Sequence, residues 1–293
     1  MLDAYADRWA LVTGASSGIG AEFARQLAAR GMHLAITARR EDRLEQLARE
    51  LHTRHGAELE ILPCDLSVAG ASKELTSELA RRGRQIELLV NNAGFAIVGN
   101  VEETSPEEVA RMIQLNIGTV ADLTCRVLPE MLERRHGAVI NVSSLSAFQP
   151  VAWMGAYAAS KSWALHFSEA LWAEVRDRGV TVLAVCPGVT QTEFFQAAGI
   201  PGWLDRHTAK SPQKVVKRAL RAMEKRRQYV VPGWKDYLMT IAVRLTTRRT
   251  AVNESARFFR PKKAENNESS KAEPSESESE PSDDSPVDRR ASA

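Results

Sequence analysis

Cysteine is scarce in this sequence, and Cys64, Cys125 and Cys186 stand far apart with no C-x-x-C pair. That spacing gives neither a disulfide framework nor a zinc site, and leaves three buried, reduced thiols as the expectation. Long apolar runs are also missing, and none approaches the ~18 to 20 residues of a membrane span, so no transmembrane helix is expected. The opening "MLDAYADRWALVTG" lacks a basic stretch followed by an apolar one. It does not read as a secretory signal, which makes the cytoplasm the expected compartment. Charge of one sign is weak. The net charge of +2 combines a tail, residues 262–293, with nine acidic and five basic groups, and a remainder with 34 basic and 28 acidic groups. An excess of +6 in that remainder suits phosphate-bearing small ligands and is too small to argue for nucleic acid. No repeat of 20 to 50 residues is visible, which excludes a solenoid or propeller.

What is present is an alternation of short apolar, β-branched runs with longer helical stretches from Trp9 to Val231. The runs "WALVTG", "HLAITA", "ELEILP", "IELLV", "AVINVS", "VTVLAVC" and "QYVV" read as strands. Several are continuously apolar, as strands covered on both faces are, so the expected fold is a doubly wound parallel α/β sheet. Ser105-Pro106-Glu107-Glu108 and Ser211-Pro212 read as helix starts, with proline at the first helical position. We divide the chain into a catalytic domain over 1–233, a basic amphipathic helical extension over 234–261, and an acidic tail over 262–293. The tail has almost no apolar side chains to offset its ordering entropy and is expected to be disordered. The extension carries Lys235, Arg244, Arg248, Arg249 and Arg257 among apolar residues. It fits either packing on protein or peripheral contact of 234–260 with anionic lipid.

Two motifs overlap in "ALVTGASSGIG". Gly14-Ala15-Ser16-Ser17-Gly18 fits the G-x-S-x-G elbow of serine hydrolases, with Ser16 as nucleophile. Gly14, Gly18 and Gly20 also form a spaced-glycine turn able to cradle a pyrophosphate. Position decides between them: the turn follows the first strand and opens a helix, whereas a hydrolase elbow follows several strands and needs a histidine. The six histidines fall where surface or packing roles are expected. After the second strand stand Ala38-Arg39-Arg40, where an NAD site places a carboxylate. Guanidinium groups there can pair with a 2′-phosphate, so NADP(H) is the expected cofactor.

A second cluster lies in "VINVSSLSAFQPVAWMGAYAASK". Tyr157 and Lys161 are four residues apart and share a helix face. A neighbouring ammonium favours a phenolate, which would bring Tyr157 nearer the working range of an acid/base catalyst. Ser144 precedes Tyr157 by thirteen residues and can reach the same substrate oxygen. Asn116 sits in a mostly apolar helix, where an asparagine needs a partner.

Taken together, these motifs resemble the short-chain dehydrogenase/reductase family in its NADP-preferring form. The resemblance runs from about Arg8 to Val231 through "TGASSGIG", "CDLS", "NNAG", Asn116, Ser144, "YAASK" and "PGVTQT". It implies a Rossmann-like seven-stranded parallel sheet and a catalytic tetrad of Asn116, Ser144, Tyr157 and Lys161. It also implies a cofactor site made of Gly14, Ser16, Ser17, Gly18, Ile19, Gly20, Arg39 and Arg40, with Asp65 and Leu66 beside the adenine. Asn91, Asn92, Ala93 and Gly94 would face the ribose, and Pro187, Gly188, Val189, Thr190 and Thr192 the nicotinamide. The implied chemistry is hydride exchange with a carbonyl compound, Tyr157 donating the proton, Lys161 lowering its pKa and Asn116 anchoring a water. Phe148, Trp153, Phe194, Phe195 and Trp203 suggest a hydrophobic substrate, such as a 3-oxoacyl chain or another apolar ketone, and a homo-oligomer is expected. A catalytically silent NADP-binding protein is the alternative.

Overall fold

The structure, a computed structural model, describes residues 5–200, 204 and 208–259. Within them each apolar run forms a strand: β1 (Trp9–Thr13), β2 (His33–Thr37), β3 (Leu59–Ile61), β4 (Ile86–Asn91), β5 (Gly137–Val142), β6 (Val180–Val185) and β7 (Tyr229–Val230). All pair in parallel, in the order β3-β2-β1-β4-β5-β6-β7. The helices are α1 (Gly18–Ala28), α2 (Glu41–His55), α3 (Ala71–Arg81), α4 (Pro106–Ile113), α5 (Thr119–Glu133), α6 (Gly155–Val175), α7 (Phe194–Ala197), α8 (Pro212–Glu224), α9 (Trp234–Leu245) and α10 (Arg248–Phe259).

Strands β1, β4, β5 and β6 are buried along their whole length because both sheet faces are covered. Alternate side chains go to opposite sides. Ala10, Val12, Leu88, Val90, Ile140 and Leu183 join one core with Phe23, Leu27, Leu44 and Leu220, from α1, α2 and α8. Leu11, Leu89, Val139 and Val182 join the other with Leu75, Leu123, Met131 and Leu171, from α3, α5 and α6. This is the expected doubly wound fold. The order in which successive strands are added reverses between β1 and β4, and that switch point opens the crevice where such sheets bind ligands.

Local signals behave largely as expected. Ser105 Oγ accepts the Glu108 N–H at 3.2 Å, with Pro106 opening α4. Pro212 opens α8 too, although the Ser211 side chain makes no capping bond. The cysteines depart from expectation, since only Cys186 is buried, Cys64 is half-buried and Cys125 is exposed on α5. Residues 234–259 fall in the same compact unit as the sheet. No described helix is long and apolar enough to cross a membrane. Trp203, the acidic tail and the last two residues of the extension lie outside the described residues.

Phe23 is fully buried between α1 and the sheet. Phe23→Ala is expected to destabilise the protein by about 3–5 kcal/mol, read from the midpoint of urea unfolding.

Candidate active site

The crevice is closed at its base by a threonine. Thr13 ends β1 with its side chain buried, and its hydroxyl donates to Val90 O at 3.2 Å. The same oxygen accepts the N–H groups of Asn92 at 2.9 Å and Ala93 at 3.0 Å. Asn92 Nδ2 returns the contact, donating to Thr13 O at 2.9 Å and Gly14 O at 3.2 Å. The glycine turn is thereby sewn to the "NNAG" segment across the switch point. Gly14 has φ +66°, and a Cβ on Gly20 would lie 2.3 Å from Gly14 O, so α1 packs on the turn at a distance only glycine allows. Gly20 thus holds the cradle's shape, while Gly14, Ser16, Ser17, Gly18 and Ile19 line the cavity. The first turn of α1 has no acidic residue and Ser17 does not cap it, leaving its N–H groups for an anion. The residues present therefore fit a dinucleotide pyrophosphate.

At the β2 end, Arg40 donates to Ser16 Oγ at 3.0 Å and Ser17 Oγ at 2.9 Å, and pairs with Glu193 at 2.7 Å. Arg43, on the first turn of α2, grips the other oxygen of Glu193. Hydrogen bonds from Arg43 and Arg40 hold the Glu193 carboxyl below its usual range. Arg39 faces Asp65. Burial would raise the Asp65 carboxyl, but hydrogen bonds from Ser67 and the charges of Arg39 and Arg111 hold it low. Asp65, Leu66, Ala93 and Gly94 all line the cavity.

Asn91 does not reach the cavity. It closes β4, where strand alternation turns its side chain into the interior: Nδ2 donates to Asn141 Oδ1 at 2.8 Å and Thr124 Oγ1 at 3.1 Å. Its neighbour Asn92 lines the cleft in its place.

The reacting end is built on β5 and α6. Ser144 follows β5; its hydroxyl donates to Ser146 Oγ at 3.1 Å and accepts the Ser146 N–H at 3.1 Å, and it stands near enough to the Tyr157 phenol to lower it. Lys161 lies one turn along α6, with Nζ 5.8 Å from the Tyr157 ring centre, and donates to Val142 O at 2.9 Å. Ser143 fixes that turn, donating to Lys161 O at 2.6 Å. Burial pushes the Tyr157 phenol up to about 12, against a smaller lowering by Ser144. It pushes the Lys161 ammonium down to about 8. The direction at both groups is set by burial, and the tyrosine shows no lowering by its lysine.

Asn116 sits in a π-helical turn, Gln114–Gly118, between α4 and α5. The extra residue aims its amide sideways, where Nδ2 donates to Phe95 O and Ser160 Oγ, each at 3.0 Å, and Oδ1 accepts Phe95 N–H at 3.2 Å. A Cβ on Gly94 would lie 2.8 Å from Asn116 Oδ1 and 3.2 Å from Lys161 Nζ, so both polar groups converge beside that glycine. The tetrad residues come together, with Asn116 behind the cleft and the other three lining it.

Pro187, Gly188, Val189, Thr190 and Thr192 also line the cavity, which is about 1210 Å³ in volume. Phe194 lies 5.5 Å from the Tyr157 ring and meets Phe195 edge-on. Two expected aromatics are elsewhere. Phe148 packs on Tyr229 and Arg244, and Trp153 donates Nε1–H to Asn100 Oδ1, so neither lines the cavity. The far wall comes instead from α9 and α10, including Met239, Val243 and Ala251. Asp236 anchors α9 there through an ion pair with Lys210, whose backbone bonds to Val189 and Gln191. None of the described histidines lines the cavity, and Ser16 is bound to Arg40, which leaves a Ser16 nucleophile without a base.

Thr13, Arg43 and Glu193 were not singled out by the sequence. Arg43 had one available signal, its place one helical turn after Arg40.

A family model described as short chain dehydrogenase matches residues 8–200. The chain belongs to this family. A very-long-chain 3-oxoacyl-CoA reductase of Anas platyrhynchos is 34% identical over 196 residues, 64% of this chain and 61% of that protein. Against that relative, then, the match spans about three fifths of the full length. Dehydrogenase/reductase SDR family member 7B of Bos taurus is 33% identical over 82% of this chain and 79% of its own length. A short-chain dehydrogenase from Sphingobium yanoikuyae, solved in complex with NADPH, superposes with a TM-score of 0.74 at 32% identity, covering 81% of this chain and 94% of that one.

The Lys161 shift has a measurable sign. Its folded pKa of about 8 lies below its usual 10.5, so the native state binds fewer protons than the unfolded chain between those values. The resulting penalty is full below pH 8 and is relieved as pH rises toward 10.5. Relative to Lys161→Met, the wild type is expected to gain about 2 kcal/mol between pH 8 and pH 10. Parallel stabilities of the two proteins in urea across that range would contradict the burial of this ammonium.

Proposed function

We propose that this short-chain dehydrogenase is an NADP(H)-dependent oxidoreductase interconverting a carbonyl and a secondary alcohol on a hydrophobic substrate, with 3-oxoacyl thioesters the favoured class. One observation carries this reading. A single continuous cavity joins Arg39 and Arg40 to Ser144, Tyr157 and Lys161, and ends against apolar residues of α9 and α10. The guanidinium groups favour the 2′-phosphate form of the cofactor, as the NADPH-bound Sphingobium structure does by analogy. The 3-oxoacyl class is supported by the substrate in the name of the duck relative.

A nicotinamide held along the cavity would supply hydride chemistry at the substrate carbon, and the residues around it would orient that exchange. Tyr157 donates its O–H to the carbonyl oxygen, and Ser144 donates a second hydrogen bond to the same atom. A phenol held protonated by burial enters the reduction as the acid. Lys161 uses one N–H on Val142 O, which leaves two donors for the phenol oxygen and a ribose hydroxyl. Asn116 holds the Phe95 backbone and, through the open side of Oδ1, a water beside Lys161. The cavity walls of Phe194 and Phe195 close over the substrate. A homo-oligomer is part of the proposal and is read from sedimentation mass.

The test is NADPH oxidation across ketones and 3-oxoacyl thioesters of graded chain length. Turnover is expected to rise with apolar chain, and Tyr157→Phe to lower it by about 10² to 10⁴. Tight NADPH binding with no turnover on any carbonyl would instead assign a silent cofactor-binding role. Arg40→Ala is expected to weaken NADPH binding about tenfold or more while leaving NADH nearly unchanged, as loss of a charge-assisted bond to the 2′-phosphate requires. Equal losses for both cofactors, measured by fluorescence titration, would remove Arg40 from that role.

A further inference from the structure

Helix α9 has two apolar sides. Met239, Ala242 and Val243 line the cavity, whereas Asp236 and Thr240 seat the helix on the protein. Trp234, Tyr237, Leu238, Ile241 and Leu245 recur at helical spacing on another side, and none of them lines the cavity. They are 38–84% exposed. Of the eleven large apolar side chains exposed among the described residues, eight fall within 234–258, which makes this a patch rather than scatter.

Charge is distributed around that stripe with one sign. The acids of the segment are engaged, Asp236 by Lys210 and Glu254 by Arg257. Lys235, Arg248 and Arg249 are exposed at its borders, and no ion pair among the described residues engages them, while Arg244 lies over the Phe148 ring. A second copy of the chain seated on the stripe across a two-fold axis would set these cations against their own equivalents. An anionic lipid surface satisfies both features at once, taking the apolar stripe into the acyl boundary and the cations among the headgroups.

We infer that α9 and the start of α10 form a docking surface for anionic lipid. The orientation sets the cavity-lining side of the same two helices next to the bilayer boundary. The inference concerns the outer side of α9 and does not depend on which carbonyl compound is reduced.

Sedimentation of the full chain with vesicles, without cofactor or substrate, tests it. Vesicles of phosphatidylcholine with 30% phosphatidylglycerol are expected to bind at least about tenfold more tightly than pure phosphatidylcholine, since each cation near the surface contributes up to about fivefold. Salt at 0.5 M is expected to erase most of that difference. Leu238→Glu with Ile241→Glu is expected to lower binding by about tenfold or more, with NADPH affinity and melting temperature retained. If that variant folds poorly, Arg248→Gln with Arg249→Gln provides the second arm and is expected to reduce the preference for phosphatidylglycerol alone. Equal binding to both vesicles, or none, overturns the inference. So does a dimer in ultracentrifugation that Leu238→Glu with Ile241→Glu turns into monomer while the wild type ignores vesicles.

Discussion

One hydroxyl group holds the working end of the sheet together. At the switch point β1 and β4 must leave room between their loops, and backbone groups there lose their sheet partners. Thr13 Oγ recovers them by donating to Val90 O and accepting from the next two N–H groups. Asn92 completes the clasp on the two carbonyls where the glycine turn begins. The cradle, the "NNAG" loop and Gly94, which sits against Lys161 and Asn116, are all referenced to this contact. A valine of similar shape would keep the packing and take the acceptor away from the N–H groups of Asn92 and Ala93.

From that frame a chain of buried polar contacts continues under the reacting groups. Asn91 donates to Asn141, which donates to Ser168, while Ser143 and Val142 secure Lys161 from the strand side. Such contacts fix side-chain positions because in a dry interior an unmade hydrogen bond costs about 1–3 kcal/mol. The same dryness sets the protonation states. Tyr157 keeps its proton and Lys161 holds its own weakly, so the pair meets a substrate with the phenol ready to donate.

Features imposed by burial were legible in the sequence. The seven strands could be located because strands of a covered sheet are rich in apolar and β-branched residues, and Gly14, Gly18 and Gly20 because no side chain fits their positions. The spacing of Tyr157 and Lys161 carried over because helical geometry fixes it. What failed depended on direction or on distant neighbours. Two adjacent asparagines look equivalent in "NNAG", and only the end of β4 decides that Asn91 points inward and Asn92 toward the cleft. Phe148 and Trp153 precede the catalytic tyrosine in sequence yet spend their rings on Tyr229 and Asn100. The extension's charge and apolarity suggested a surface segment, and it is also a cavity wall, a role set by the Lys210–Asp236 anchor across 26 residues. Long-range pairing of that kind leaves no local pattern.

Glu193 and Phe194 are consecutive residues with partners at different ends of the cavity. One pairs with Arg40 and Arg43 beyond β2, and the other rests on the ring of Tyr157. A single peptide bond joins the two contacts. Replacing Arg40 would therefore remove one of the two arginine anchors of the loop that carries Phe194, and a change at Phe194 would bear on the pairing at Glu193. Evolutionary drift at the two positions should be correlated, with variants that change one tending to carry a compensating change in the other.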